Sequence, residues 1–93
     1  MIKSFAEKHT RDIFITGKSK RFHPNLARKA IRRLEYVDFA IYLSDLKVPL
    51  SNRLHALIDD RKGQYSISIN DQWRICFRFE NGNAYDVEII DYH

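Results

Sequence analysis

From residue 65 to residue 90 the apolar side chains recur at every second position, and few folds accommodate such a run. Tyr65, Ile67 and Ile69, then Trp73, Ile75, Phe77 and Phe79, then Tyr85, Val87 and Ile89 alternate with mainly polar neighbours. A period of two is the signature of strands with one buried face. Asn70-Asp71-Gln72 and Asn81-Gly82-Asn83 interrupt the run, which makes it an antiparallel meander. Upstream the period is different. Leu26, Ala30, Leu34, Val37 and Ile41 recur at helical spacing, so a helix is predicted over 24–42 with Pro24 in its first turn. Arg28, Lys29, Arg32 and Arg33 lie off that stripe. A shorter helix is predicted over 6–16, ending at Gly17, with residues 2–5 as a short first strand. Residues 44–52 read as a loop, 53–58 as another strand, and 59–63 as a turn. The expected class is α+β: two N-terminal helices packed on one face of a small, mainly antiparallel β-sheet, in a single domain over residues 1–93.

Register follows from parity, because residues facing each other across an antiparallel pair share a face. A two-residue Asn81-Gly82 turn sets Phe77 against Asp86, mixing core with solvent. A three-residue loop through Asn83 pairs Phe79 with Tyr85, Phe77 with Val87 and Ile75 with Ile89, and is the expected form. The same reasoning pairs Ile67 with Ile75 in the preceding hairpin. One face then carries Tyr65, Ile67, Ile69, Ile75, Phe77, Phe79, Val87 and Ile89. The other carries Ser66, Ser68, Arg74, Cys76, Arg78, Asp86 and Glu88. Extended to the C-terminus, this register puts Tyr92 beside Arg74 on the polar face, with Asp91 and His93 on the opposite parity near Trp73.

Charge narrows the function. Residues 1–47 hold 11 Lys/Arg and 5 Asp/Glu, net +6; residues 48–93 hold 5 and 7, net −2. A basic half suits a polyanionic partner, although a solvated helix face gives the same numbers. The lone Cys76 excludes an internal disulfide framework. The first twelve residues lack a signal-peptide core and no long apolar run exists, so a cytoplasmic protein without a membrane segment is expected.

Few residues offer chemistry. Arg74 has a donor fork suited to phosphate, with a cross-strand salt bridge to Glu88 as the competing reading. Tyr92 can stack on a base or handle a proton, or simply cover the sheet end. His93 titrates near neutrality, yet it is terminal. His55, with Arg53 two residues earlier, is either a site group or a half-buried structural histidine. The four histidines and one cysteine have no metal-ligand spacing, and neither a Gly-rich phosphate loop nor a nucleophile elbow is present. Arg, Tyr and His around one polar surface suit RNA cleavage by attack of the ribose 2′-OH on its own phosphate, with no metal or other cofactor expected.

The stretch NRLHALIDDRKGQYSISINDQWRICFRFENGNAYDVEIIDYH, residues 52–93, resembles the HigB toxins of the RelE/ParE superfamily. NRLH-x-L, the WRI-x-F segment and a terminal DYH carry the resemblance, and the opening MIKSF extends it over the whole chain. NDQWR points to the GraT-like branch. The resemblance implies a RelE-like fold and a toxin of a type II toxin–antitoxin system, a cytoplasmic, ribosome-dependent endoribonuclease acting on mRNA. It also implies a HigA-type helix-turn-helix antitoxin and, as the alternative within the superfamily, a non-catalytic ParE-like inhibitor of DNA gyrase. By family pattern the catalytic residues are His55, Arg74, Asp91, Tyr92 and His93. RNA or ribosome contacts are expected from Arg28, Lys29, Arg32, Arg33, Arg53, Arg61 and Lys62. Ile58 departs from the pattern, because many relatives carry an active-site lysine there, and a basic residue near Asn70 is also missing.

Overall fold

The structure, a computed structural model, describes residues 1–92. Helix α1 spans Lys8–Thr16 and α2 spans Pro24–Phe39; strands β1 (His55–Ala56), β2 (Tyr65–Ser68), β3 (Trp73–Glu80) and β4 (Asn83–Asp91) follow. The strands form one antiparallel sheet in the order β1-β2-β3-β4. Both helices cover one face. Ile13, Leu26, Ala30, Leu34 and Val37 are buried there against Ile67, Ile75, Phe77, Val87 and Ile89. The expected α+β class is therefore what the chain adopts. No helix among the described residues is long and apolar enough to cross a membrane.

Residues 2–5 do pair, as an extended segment rather than a full strand, making parallel bridges from Ile2 to Ala84 and from Phe5 to Val87 on the outer edge of β4. Four backbone hydrogen bonds fix it: the N–H groups of Lys3 and Ala6 donate to Ala84 and Val87, whose own N–H groups donate to Met1 and Ser4. Helix α1 begins two residues later than expected, because Glu7 acts as its N-cap and accepts from the backbone N–H groups of His9 and Thr10. The Thr10 hydroxyl also donates to Glu7 and accepts from Ile89 N–H at 3.0 Å, docking the helix start onto β4.

Burial pushes the Glu7 carboxyl upward, but the N–H of His9, the hydroxyl and N–H of Thr10, and the charge of His9 outweigh it, so the pKa lies below the usual carboxylate value. A carboxyl depressed on folding stabilises the protein above its unfolded-state pKa and loses that contribution as pH falls through the folded value. Glu7→Gln is expected to lower stability by about 1 kcal/mol at neutral pH, a typical N-cap magnitude. It should also flatten the loss of stability from about pH 5 downward. Urea midpoints measured across that range check both.

Helix α2 stops at Phe39, three residues short of the expected end, and Ile41 is exposed rather than part of the buried stripe. The Asp45 carboxylate accepts from the N–H groups of Ile41 and Tyr42, turning the chain into two 3₁₀ turns, Leu43–Lys47 and Leu50–Asn52. These occupy most of the stretch read as loop. The predicted strand over 53–58 shrinks to His55–Ala56, because Arg53 takes a left-handed conformation and Asp59–Arg61 forms another 3₁₀ turn.

The β3–β4 register corrects the sequence reading near its turn. Glu80 pairs with Asn83, Phe79 with Ala84 and Arg78 with Tyr85, so the loop is the two-residue Asn81-Gly82, with both residues at positive φ. Beyond a bulge, Cys76 pairs with Glu88 and Ile75 with Ile89. Asp86, at φ 53°, is in the extra residue's stretch; the bulge restores parity, and Val87 and Ile89 reach the core as expected. Ile67 pairs with Ile75, as parity required.

Candidate active site

The sheet face away from the helices carries two rows of side chains. His55, Ser66, Cys76 and Glu88 lie across one row, and Ser68, Arg74 and Ile90 across the next. This face is not uniformly wet: Ser66 and Cys76 are fully buried. Burial pushes the Cys76 thiol up to about 11 despite the nearby Arg61 and Arg74, with Glu88 adding to the rise. It is therefore a neutral thiol at physiological pH rather than a nucleophile.

Arg74 is anchored from behind. Its Nε donates to Ser66 Oγ at 2.9 Å and its Nη2 to the Arg53 carbonyl at 2.7 Å. Its guanidinium carbon sits 4.7 Å from the Tyr92 ring centroid. Nη1 makes no hydrogen bond among the described residues. The competing salt bridge to Glu88 does not form; Arg61 takes that carboxylate at 2.8 Å and also donates to Gln64. Tyr92, placed beside Arg74 by parity, is held there by its own N–H, which donates to the Gln72 carbonyl at 2.7 Å.

Beside Tyr92 lies a cleft of about 400 Å³, lined by His55, Leu57, Ile58, Asp59, Asp60, Arg61 and Tyr92; Arg74 adjoins it through the Tyr92 ring. His55 is exposed at its rim, which disposes of the half-buried structural reading. Ile58, where the resemblance leads one to expect a lysine, also lines the cleft and is 74% exposed. Arg61 is the cation that the cleft does contain, and Glu88 balances it. Two features escape pattern reading here. Arg61 reaches Glu88 from a loop 27 residues away, and the Arg74 anchor is a backbone carbonyl.

The remaining expected residues are spread more widely. Asp91 pairs with Trp73 and accepts from Gln72 Nε2 at 3.2 Å, outside the cleft lining. His93 lies outside the described residues. Arg53 precedes β1 and pairs with Asp71 at 3.4 Å. On α2, Arg28 donates to Asn25, Lys29 and Arg32 are exposed, and Arg33 donates to Asn52 and Ser51. Lys62 is exposed beside the cleft wall.

Known proteins bear on this geometry. The profile of the HigB-like toxins, RelE-like toxins of the type II toxin–antitoxin system HigB, matches residues 3–93. The chain is 36% identical over 93 residues to "Endoribonuclease HigB" of Proteus vulgaris, with both chains covered in full. It is 34% identical over 85 residues to "Toxin HigB-1" of Vibrio cholerae serotype O1, covering 90% of each. The crystal structure of YafQ from E. coli strain BL21(DE3) superposes with a TM-score of 0.60 at 13% identity, over 99% of this chain and 92% of that one, and shows the same fold. A profile match over nearly the whole length, with relatives 36% and 34% identical over 90% or more of both chains, makes this chain a member of the HigB-like family of RelE-like toxins from type II toxin–antitoxin systems.

Proposed function

We propose that this toxin is an endoribonuclease that cuts mRNA on the ribosome through attack of the ribose 2′-OH on the adjacent phosphate. The observation that carries the reading is Arg74, fixed by Ser66 and the Arg53 carbonyl and stacked against Tyr92, which lines the cleft. A guanidinium held from behind keeps its remaining donors ready for the non-bridging oxygens, where negative charge gathers in the transition state, and needs no reorganisation to do so. Tyr92 offers a ring face to a nucleotide and a phenol to a proton. His55, Tyr92 and His93 are the groups that move protons to and from the 2′- and 5′-oxygens. Asp91, bonded to Gln72, positions the chain end that carries Tyr92. Arg61 is the guanidinium nearest to taking over from the family lysine, and its charge is shared with Glu88.

The relative named for endoribonuclease activity supports RNA cleavage over gyrase inhibition. As a type II toxin the chain has an antitoxin partner, and a helix-turn-helix protein of the HigA type is the form proposed for it. Arg28, Lys29 and Arg32, with Arg53 and Lys62, are proposed to hold ribosomal RNA phosphates in the cytoplasm; Arg33 has an internal role besides. Induced expression followed by mapping of mRNA 5′ ends tests the reading. New ends within translated codons are expected. Growth arrest with intact messages and relaxed DNA would overturn it in favour of gyrase inhibition.

A further inference from the structure

A second cleft, of about 330 Å³, opens on the other side of the sheet end from Arg74, where the start of α2 meets the β2–β3 hairpin. Its walls include Arg21, Phe22, His23, Lys29, Asn70 and Trp73. We infer that this cleft holds one nucleotide of the single-stranded RNA substrate, flanking the one cut at Arg74. The inference rests on the ribonuclease reading and extends it to a second point of contact.

Three observations converge. The wall is aromatic: Trp73 is half-buried and braced edge-on by Phe22, with ring centroids 5.5 Å apart at 81°. A braced ring with an open surface is a platform on which any base packs. The rim is cationic: Lys29 is exposed and makes no ion pair among the described residues. Arg21 is exposed, with its guanidinium 5.2 Å from the Phe22 ring centroid, and its one ion pair among the described residues is with Glu7, at 4.0 Å, whose carboxylate is already occupied by two N–H groups and the Thr10 hydroxyl. The third is a free donor. Asn70 Oδ1 accepts from the N–H groups of Gln72 and Trp73, which fixes the amide, and its Nδ2 makes no hydrogen bond among the described residues. Stacking surface, two cations and an amide donor are what a nucleotide's base, phosphate and edge require.

Connection to the first cleft follows from the strand pairing. Trp73 faces Asp91, the residue before Tyr92, and the β2–β3 turn that precedes Trp73 is tied to Tyr92 through Gln72. A strand of RNA leaving the Arg74–Tyr92 face over this end of the sheet therefore meets Trp73 next.

Trp73 is the only tryptophan, so its fluorescence reports on this cleft. The probe is a labelled single-stranded oligodeoxynucleotide, which lacks the 2′-OH and so stays intact. Titration is expected to quench Trp73 saturably, in parallel with the rise in label anisotropy. In Arg21→Gln/Lys29→Gln the affinity should fall about tenfold. Its log–log salt slope should shrink by about 1.4, two phosphate contacts at about 0.7 each. Quenching should survive Arg74→Gln. Binding seen by anisotropy with Trp73 unquenched, or quenching unchanged in the double variant, would overturn the inference. So would a Trp73 response to the antitoxin and none to the oligonucleotide, or to inorganic phosphate equally well. Ribosomal cleavage is scored separately. Cleavage without Trp73 quenching removes the second cleft and keeps the ribonuclease; quenching without cleavage does the reverse.

Discussion

Arg74→Gln is expected to reduce mRNA cleavage on ribosomes by on the order of 10²–10³-fold while leaving the protein folded, the usual cost of removing one pre-positioned donor to a developing oxyanion. Glutamine keeps a donor near Ser66 but loses both the charge and the fork. Arg74→Lys sharpens the test. Lysine restores the charge as a point, yet one ammonium has to serve Ser66, the Arg53 carbonyl and a phosphate together. It should recover only part of the loss. Single-turnover cleavage of a programmed ribosome measures all three proteins. Cleavage by Arg74→Gln within threefold of the parent would remove Arg74 from the site, and with it the mechanism proposed above.

The second large effect is on stability and comes from Asn52, which no charge or period argument marks as special. It is fully buried. Its Nδ2 donates to the carbonyls of Leu46 at 3.2 Å and Val48 at 3.4 Å, and its Oδ1 accepts from Arg33. Alanine there leaves carbonyls and a guanidinium without their partner, which costs about 3 kcal/mol. For a chain of this size that is a fall in Tm of roughly 15 °C. Asn52→Asp should fare no better, since a carboxylate would face two carbonyl oxygens even while it pairs with Arg33. Thermal unfolding followed by circular dichroism tests the stability effect. A second consequence follows from position. The residue after Asn52 supplies the carbonyl that anchors Arg74. Cleavage by the folded fraction of Asn52→Ala, assayed well below its Tm, should therefore fall too.

Parity alone placed Tyr92 beside Arg74, because from the Cys76–Glu88 pair to the Trp73–Asp91 pair the strands run in regular register. It failed nearer the turn for a specific reason. Tyr85, Val87 and Ile89 look like one unbroken alternation, but the left-handed Asp86 inserts a step, so Ala84 rather than Tyr85 lies opposite Phe79. Aspartate tolerates that conformation better than most residues, yet nothing in the spacing announces it. Ile41 fits the helical stripe equally well and is exposed, because the stop is written in Asp45, a side chain beyond the stripe. The Arg61–Glu88 pair and the Arg33–Asn52 contact were illegible for a related reason: each joins segments whose relative placement depends on the whole fold. Family pattern supplied His55, and the structure brings it to the cleft rim. The same pattern grouped Asp91 with the catalytic residues, and the structure gives that carboxylate to Gln72.

The N-terminal segment seals β4. With residues 1–6 bonded along its outer side and β1 only two residues long at the far margin, the sheet offers no strand-length row of free N–H and C=O groups among the described residues. Such a row is the usual template for unwanted oligomerisation. It is equally the template for a partner that binds by adding a strand. An antitoxin strand seeking β4 would first have to peel away the Lys3 and Ala6 amides. Loss of hydrogen-exchange protection at those two positions would mark that route, and an antitoxin that leaves them protected must grip side chains instead.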